Sequence, residues 1–272
     1  MRIPLLQIDA FTDRSFAGNP AGVCLLQEPR DAAWMQAVAA EINLSETAFL
    51  VPRGDAAFDL RWFTPTVEVE LCGHATLASA HAIWERGIAR PEETLEFATA
   101  SGRLTASLKS DAWIELDFPA NPLAPIEPGS DRWPEAVALG AALRVTVSEA
   151  AAKGRDWILV AGGPAEVRRA RPDFGAVRKL GDMVMLTARA DEGTGVDFVS
   201  RCFVPAYGIP EDPVTGSAHC ALGPFWAPRL GRTEMTAHQV SARGGVVRVR
   251  IVGDRVALGG QAVTVIEGEL VA

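Results

Sequence analysis

Apolar and polar residues alternate over much of this chain. Phe58, Leu60 and Trp62 alternate with polar neighbours, and so do Leu104, Ala106 and Leu108, then Ile114, Leu116 and Phe118. A two-residue period sends successive side chains to opposite faces of a strand. The last two runs therefore predict an antiparallel pair turning near Ser110 and Asp111. Two further strands are predicted, the N-terminal run Met1–Asp9 and the short apolar segment Thr47–Val51. A different spacing rules residues 31–41, where Trp34 and Val38, and Met35 and Ile42, fall on one helical face. Asp31 suits that helix as its N-cap. Residues 74–86 also read as a helix, ending near Gly87.

The second half repeats the scheme. A helix is predicted around Pro134–Leu143, a strand at Trp157–Val160, and helical pieces near 165–179. Strands at Met183–Thr187 and Val196–Phe203 precede a helix beginning near Ser217. Val247, Val249 and Ile251 alternate with Arg248 and Arg250. Val256–Leu258 and Ala262–Ile266 close the chain as strands. Arg61-Trp62-Phe63-Thr64-Pro65 followed by Cys72-Gly73-His74-Ala75 resembles Arg201-Cys202-Phe203-Val204-Pro205 followed by Thr215-Gly216-Ser217-Ala218. From Phe to Gly the second copy is three residues longer. Such a duplication predicts an α+β protein of two pseudo-symmetric halves, each with mostly antiparallel strands around a long helix. Residues 1–118 form the first half, the Pro-rich stretch 119–129 a linker, and 130–272 the second, whose final strand is able to return to the first half. A cleft is expected where the halves meet, with two helix starts offering N–H groups to whatever binds there.

Composition narrows the function. The chain has 272 residues, 48% hydrophobic and 22% charged, as expected of a soluble globular protein. Its 26 Lys and Arg against 34 Asp and Glu leave a net charge of −8, which argues against nucleic acid as a partner. No apolar run approaches the roughly 20 residues of a membrane span, and the N-terminus lacks the features of a signal peptide. A cytoplasmic location is expected. Cys24, Cys72, Cys202 and Cys220 form no C-x-x-C pair and no zinc-ligand spacing, so free thiols and no metal are expected. Cys24 and Cys202 read as small core residues.

Three places carry possible chemistry. Glu46 directly precedes an apolar strand; there it is either a proton carrier whose carboxyl burial keeps protonated to higher pH, or a surface residue in a turn. In Cys72-Gly73-His74, the glycine admits a ligand backbone-close. The helix dipole disfavours a cation at His74, yet a neutral imidazole can relay a proton. Cys72 at a helix start is either an activated thiol or a buried bystander. In Glu211-Asp212-Pro213-Val214-Thr215-Gly216-Ser217, Asp212 precedes a second helix start, either as a ligand-facing carboxylate or as an ordinary turn residue before proline. Ser217 either caps that helix or meets the ligand. His81, His219 and His238 read as structural or exposed.

Taken together, Asp9-Ala10-Phe11-Thr12, Phe16-Ala17-Gly18-Asn19-Pro20-Ala21-Gly22-Val23, Asn43-Leu44-Ser45-Glu46-Thr47-Ala48-Phe49, Arg61–Pro65, Cys72–Thr76 and Glu211–Ala218 resemble the phenazine-biosynthesis isomerase (PhzF-like) family. The resemblance implies the diaminopimelate-epimerase fold, with a curved sheet wrapped around a central helix in each half. It implies proton transfer without a cofactor, a small carboxylated substrate, and a homodimer. Glu46 would be the general acid/base, His74 and Asp212 its proton-assisting partners, and Gly73, Gly216 and Ser217 substrate-binding. The phenazine enzyme itself has a small apolar residue where this chain has Cys72. Related epimerases have a catalytic Cys there and a second one at the place of Thr215. Cys72 and Thr215 are thus auxiliary candidates. Two other readings are a Cys72-based proline-type racemase or dehydratase and a non-catalytic small-metabolite-binding protein.

Overall fold

The structure, a computed structural model, describes residues 2–271. The chain divides into two units, Met1–Phe118 with Ala257–Ala272, and Pro119–Val256. The first unit runs through β1 (Arg2–Ala10), β2 (Asn19–Leu25), α1 (Ala32–Ile42), β3 (Glu46–Gly54), β4 (Ala57–Phe63), β5 (Glu68–Val69), α2 (Gly73–Glu85), β6 (Leu95–Thr99), β7 (Gly102–Leu108) and β8 (Ile114–Pro119). The second comprises β9 (Ala124–Ile126), α3 (Trp133–Leu143), β10 (Glu149–Lys153), β11 (Asp156–Val160), α4 (Pro164–Arg169), α5 (Phe174–Leu180), β12 (Met183–Arg189), β13 (Phe198–Val204), β14 (Ile209–Asp212), α6 (Gly216–Leu230), β15 (Glu234–Gln239) and β16 (Gly245–Val252). Strand β17 (Arg255–Gly260) leads back, and β18 (Ala262–Val271) lies antiparallel to β1.

The duplication extends to strand register. In the first unit β1–β2 is antiparallel, β2–β3 parallel, β3–β4 antiparallel, β4–β6 parallel and β6–β7 antiparallel. In the second, β10–β11, β11–β12, β12–β13, β13–β15 and β15–β16 repeat that order of directions. The pairs Thr47↔Phe63 and Phe58↔Phe97 answer to Val184↔Phe203 and Phe198↔Ala237. Register therefore makes Glu46 the counterpart of Met183, and Thr99 that of Gln239. Val69, opposite Trp62, is likewise the counterpart of Asp212, opposite Cys202. One ion pair is duplicated almost atom for atom. Arg61 donates from Nε and Nη2 to the two oxygens of Glu68, both at 2.7 Å, and lies over the Phe63 ring at 5.1 Å. Arg201 does the same to Glu211, again at 2.7 Å, and lies over Phe203 at 5.0 Å.

In each unit the long helix is largely buried. Ten of the 13 residues of α2 are buried, because its Ala and Ser side chains let strands approach closely. At Gly260 in β17 a Cβ would stand 2.4 Å from Phe11 Cδ1 and 2.7 Å from Leu77 Cδ1, so glycine is the residue that fits between those two side chains. A separate apolar cluster under α1 joins Met35, Val38, Phe49 and Phe63, with Trp34 edge-on to Phe49. In the second unit Leu139, Leu143, Trp157, Val184, Leu186 and Phe203 form the corresponding core.

Asp31 caps α1 as expected, its side chain accepting the Trp34 N–H. The α6 helix begins at Gly216 with Thr215, not Ser217, at the N-cap. The stretch 119–129, read as a linker, carries β9, which pairs with β10 in the second unit. All four cysteines are free and buried. Among the described residues no helix is long and apolar enough to cross a membrane.

Candidate functional site

In the first unit, β3 and α2 bring Glu46, Cys72 and His74 together. Strand β3 starts at Glu46, parallel to β2 and opposite Ala21, so the carboxylate sits at a strand mouth. Cys72 is the N-cap of α2, Gly73 its first residue and His74 its second. The Glu46 Oε2 atom lies 3.3 Å from His74 Nε2, with both side chains largely buried. The Ser45 hydroxyl is 3.4 Å from the same nitrogen. On the ring's opposite edge, Cys72 Sγ lies 3.5 Å from His74 Nδ1. Burial pushes the Glu46 carboxyl above the ordinary carboxylate range, and the Ser45 hydroxyl partly offsets this.

This order couples the three groups through one ring. When Glu46 is ionised, an Nε2–H donates to it and Nδ1 accepts from the Cys72 thiol. When Glu46 is protonated the ring can take the other tautomer. The donor atoms of Glu46, Cys72 and His74 all lie within 4.8 Å of one another, a set able to ligate a thiophilic divalent cation. However, the carboxylate and the thiol approach opposite ring nitrogens, and a single ion cannot use both short contacts without turning the ring. The arrangement suits proton relay better than metal binding.

In the second unit, β14, α6 and β15 converge. The Thr215 hydroxyl donates to Asp212 Oδ2 at 2.5 Å. Gln239, fully buried at the end of β15, accepts the Thr215 N–H at 2.9 Å. Its amide donates to the Asp212 carbonyl at 2.7 Å and to Thr215 Oγ1 at 3.1 Å. Gly216 is the buried first residue of α6, and Ser217 is exposed on the same turn. The first N–H groups of a helix have no intrahelical acceptor, so α2 and α6 each present donors at Gly73 and Gly216. His219 is structural: it donates from Nδ1 to the Thr215 carbonyl at 2.7 Å, and burial lowers it to about 4. His81 lies beside Glu85 and Thr264.

The structure thus gathers Glu46, Cys72, Gly73 and His74 in one unit and Asp212, Thr215, Gly216 and Ser217 in the other. Ser45 and Gln239 were not singled out from the sequence. Ser45 stands directly before Glu46. Gln239 follows Met235 and Ala237 on the buried face of β15, and a polar residue on a core-facing period was its visible signal. The units differ where chemistry is possible. Glu46, Cys72 and Val69 in the first stand where the second has Met183, Thr215 and Asp212.

A duplicated sheet around a buried helix, with a helix start carrying a titratable group, defines an epimerase-type scaffold. The model of the phenazine biosynthesis-like proteins (PhzC-PhzF) matches residues 8–268, and the chain belongs to that family. An uncharacterized isomerase of Halalkalibacterium halodurans is 44% identical over 271 residues, covering 99% of each chain. A crystal structure of a PhzF-family protein from Enterococcus faecalis is 42% identical and covers both chains fully, with a TM-score of 0.90. A hydroxyproline epimerase from Agrobacterium vitis shares the fold at 14% identity and a TM-score of 0.60, covering 99% of this chain and 92% of that one.

Proposed function

We propose that the protein is a cofactor-independent isomerase or epimerase of a small carboxylated metabolite. The observation carrying this reading is the buried Glu46 carboxylate, raised by desolvation and 3.3 Å from His74. A base held in that state operates closer to neutral pH than a solvated one. Glu46 removes a proton from a carbon beside an activating group, and the C–H electron pair stays on the substrate as an enolate-like anion. The N–H groups at the start of α2 stabilise that charge. Glu46 then returns the proton to a carbon of the same molecule, so no oxidant or second substrate is consumed. His74 holds the carboxylate and takes part in its protonation. Asp212 is assigned to assisting the proton transfer, and Gly73, Gly216 and Ser217 to substrate binding. The isomerase names of relatives support the reaction class.

The test is incorporation of deuterium from heavy water into candidate carboxylates, read by mass spectrometry. Glu46→Gln should lower the exchange rate by about 10²–10⁴. Full exchange in that variant would remove Glu46 from the role.

A second reading takes the Cys72 thiol as the base of a racemase or dehydratase, and its 3.5 Å approach to His74 Nδ1 favours it. Cys72→Ala separates the two. The Glu46 mechanism keeps most of its exchange in that variant, whereas a thiol mechanism loses all of it. A ligand that binds tightly but never exchanges its carbon protons would instead support a binding protein.

A further inference from the structure

The hydrogen bonds around Gln239 leave little freedom for its proton positions. A backbone N–H can only donate and a backbone carbonyl can only accept. Gln239 Oε1 must therefore face the Thr215 N–H at 2.9 Å, and Nε2 the Asp212 carbonyl at 2.7 Å. Flipping the amide would set donor against donor and acceptor against acceptor. The second Nε2 hydrogen then points to Thr215 Oγ1 at 3.1 Å. Accepting from that amide, the Thr215 hydroxyl turns its own proton to Asp212 Oδ2, 2.5 Å away.

The first unit lacks this device. There the counterparts of Asp212 and Thr215 are Val69 and Cys72, and that of Gln239 is Thr99, whose hydroxyl bonds within its own hairpin to the Gly102 carbonyl at 2.7 Å. At these register positions the second unit sets a buried amide beside Thr215 and Asp212, where the first has Thr99 beside Cys72 and Val69.

We infer that Gln239 is a positioning residue that sets the direction of the Thr215–Asp212 hydrogen bond and so holds Asp212 as a hydrogen-bond acceptor. Thr215 is then an oriented clamp and not a second base. The role of Asp212 toward substrate rests on the function proposed above; the direction of the bonds rests on geometry alone.

The test uses the full chain and two readouts. In proton NMR the Thr215 hydroxyl should be protected from exchange with water and should correlate with the Asp212 carboxyl carbon. Gln239→Met keeps the bulk and removes every hydrogen bond of the amide. Gln239→Glu keeps the acceptor for the Thr215 N–H but draws the hydroxyl proton toward itself. Both should abolish the correlation while amide spectra stay folded, and Thr215→Ser should retain it. In the exchange assay both Gln239 variants should lower kcat about tenfold to a hundredfold with KM changed less than about threefold. A correlation that survives in either Gln239 variant, or an unchanged kcat in both, overturns the inference. Should the parent protein exchange no carboxylate at all, the proposed reaction fails while the NMR readout still decides the bond direction.

Discussion

His74 Nε2 stands 3.3 Å from Glu46 Oε2, which sets an imidazole directly beside the carboxylate at the mouth of β3. Burial raises the Glu46 carboxyl. The base is the ionised form, present only above the raised value. Exchange should therefore fall as pH drops through a limb lying above the ordinary range of a free glutamate. A pH profile of kcat/KM for deuterium exchange checks this, and Glu46→Asp should keep a limb while Glu46→Gln should have none.

The same burial has an opposite sign for stability. A carboxyl raised on folding contributes stability in its protonated form, which is fully present below the unfolded value and lost as pH rises through the folded value. Glu46→Gln should accordingly unfold at higher temperature than the parent at neutral pH, and at about the same temperature at strongly acid pH. Thermal unfolding at both pH values checks the crossover. A gain of about 0.5–2 kcal/mol at neutral pH is the size expected when strain at a functional site is relieved.

The duplicated arginines form a matched pair for testing burial. The Arg201 side chain is 12% exposed and also donates to the Val167 and Ala170 carbonyls, whereas Arg61 is 36% exposed. Lysine cannot reproduce a planar fork that grips two carboxylate oxygens. Arg201→Lys should destabilise by about 2–4 kcal/mol and Arg61→Lys by about 1 kcal/mol or less, read by urea unfolding. Equal losses would mean that the extra carbonyl contacts contribute nothing.

At Gly260 the limit is space. An alanine Cβ would stand 2.4 Å from Phe11 Cδ1, and both Phe11 and Leu77 are fully buried. Gly260→Ala should destabilise by about 1–3 kcal/mol. Gly253 has open space around a Cβ but a left-handed φ of 62°, so Gly253→Ala measures backbone strain alone and should lose about 1 kcal/mol.

Much of this was legible because period and capping are local. The helix after Asp31, the strand at Phe58–Trp62 and the helix after Cys72 follow from spacing. Glu46 and His74 were legible as candidates, and their proximity required the parallel placement of β3 on β2. Glu149-Ala150-Ala151-Ala152-Lys153 was not legible as a strand. Its residues favour helix, yet β9 and β11 pair with it on both sides, and long-range pairing overrides local preference. The Thr215–Gln239 bond joins residues from α6 and β15, which no periodicity connects.

The antiparallel seam between β18 and β1 gives the molecule a birth order. A ribosome releases β1 long before β18, while every strand from β9 to β16 is made in one uninterrupted stretch. The second unit is therefore able to complete its sheet during synthesis, and the first, begun earlier, must wait. Until translation passes residue 262 the outer edge of β1 stays bare, open to pairing with any other nascent chain. A chain cut short before Ala262 would thus keep an unclosed edge along β1, directed toward aggregation or proteolysis.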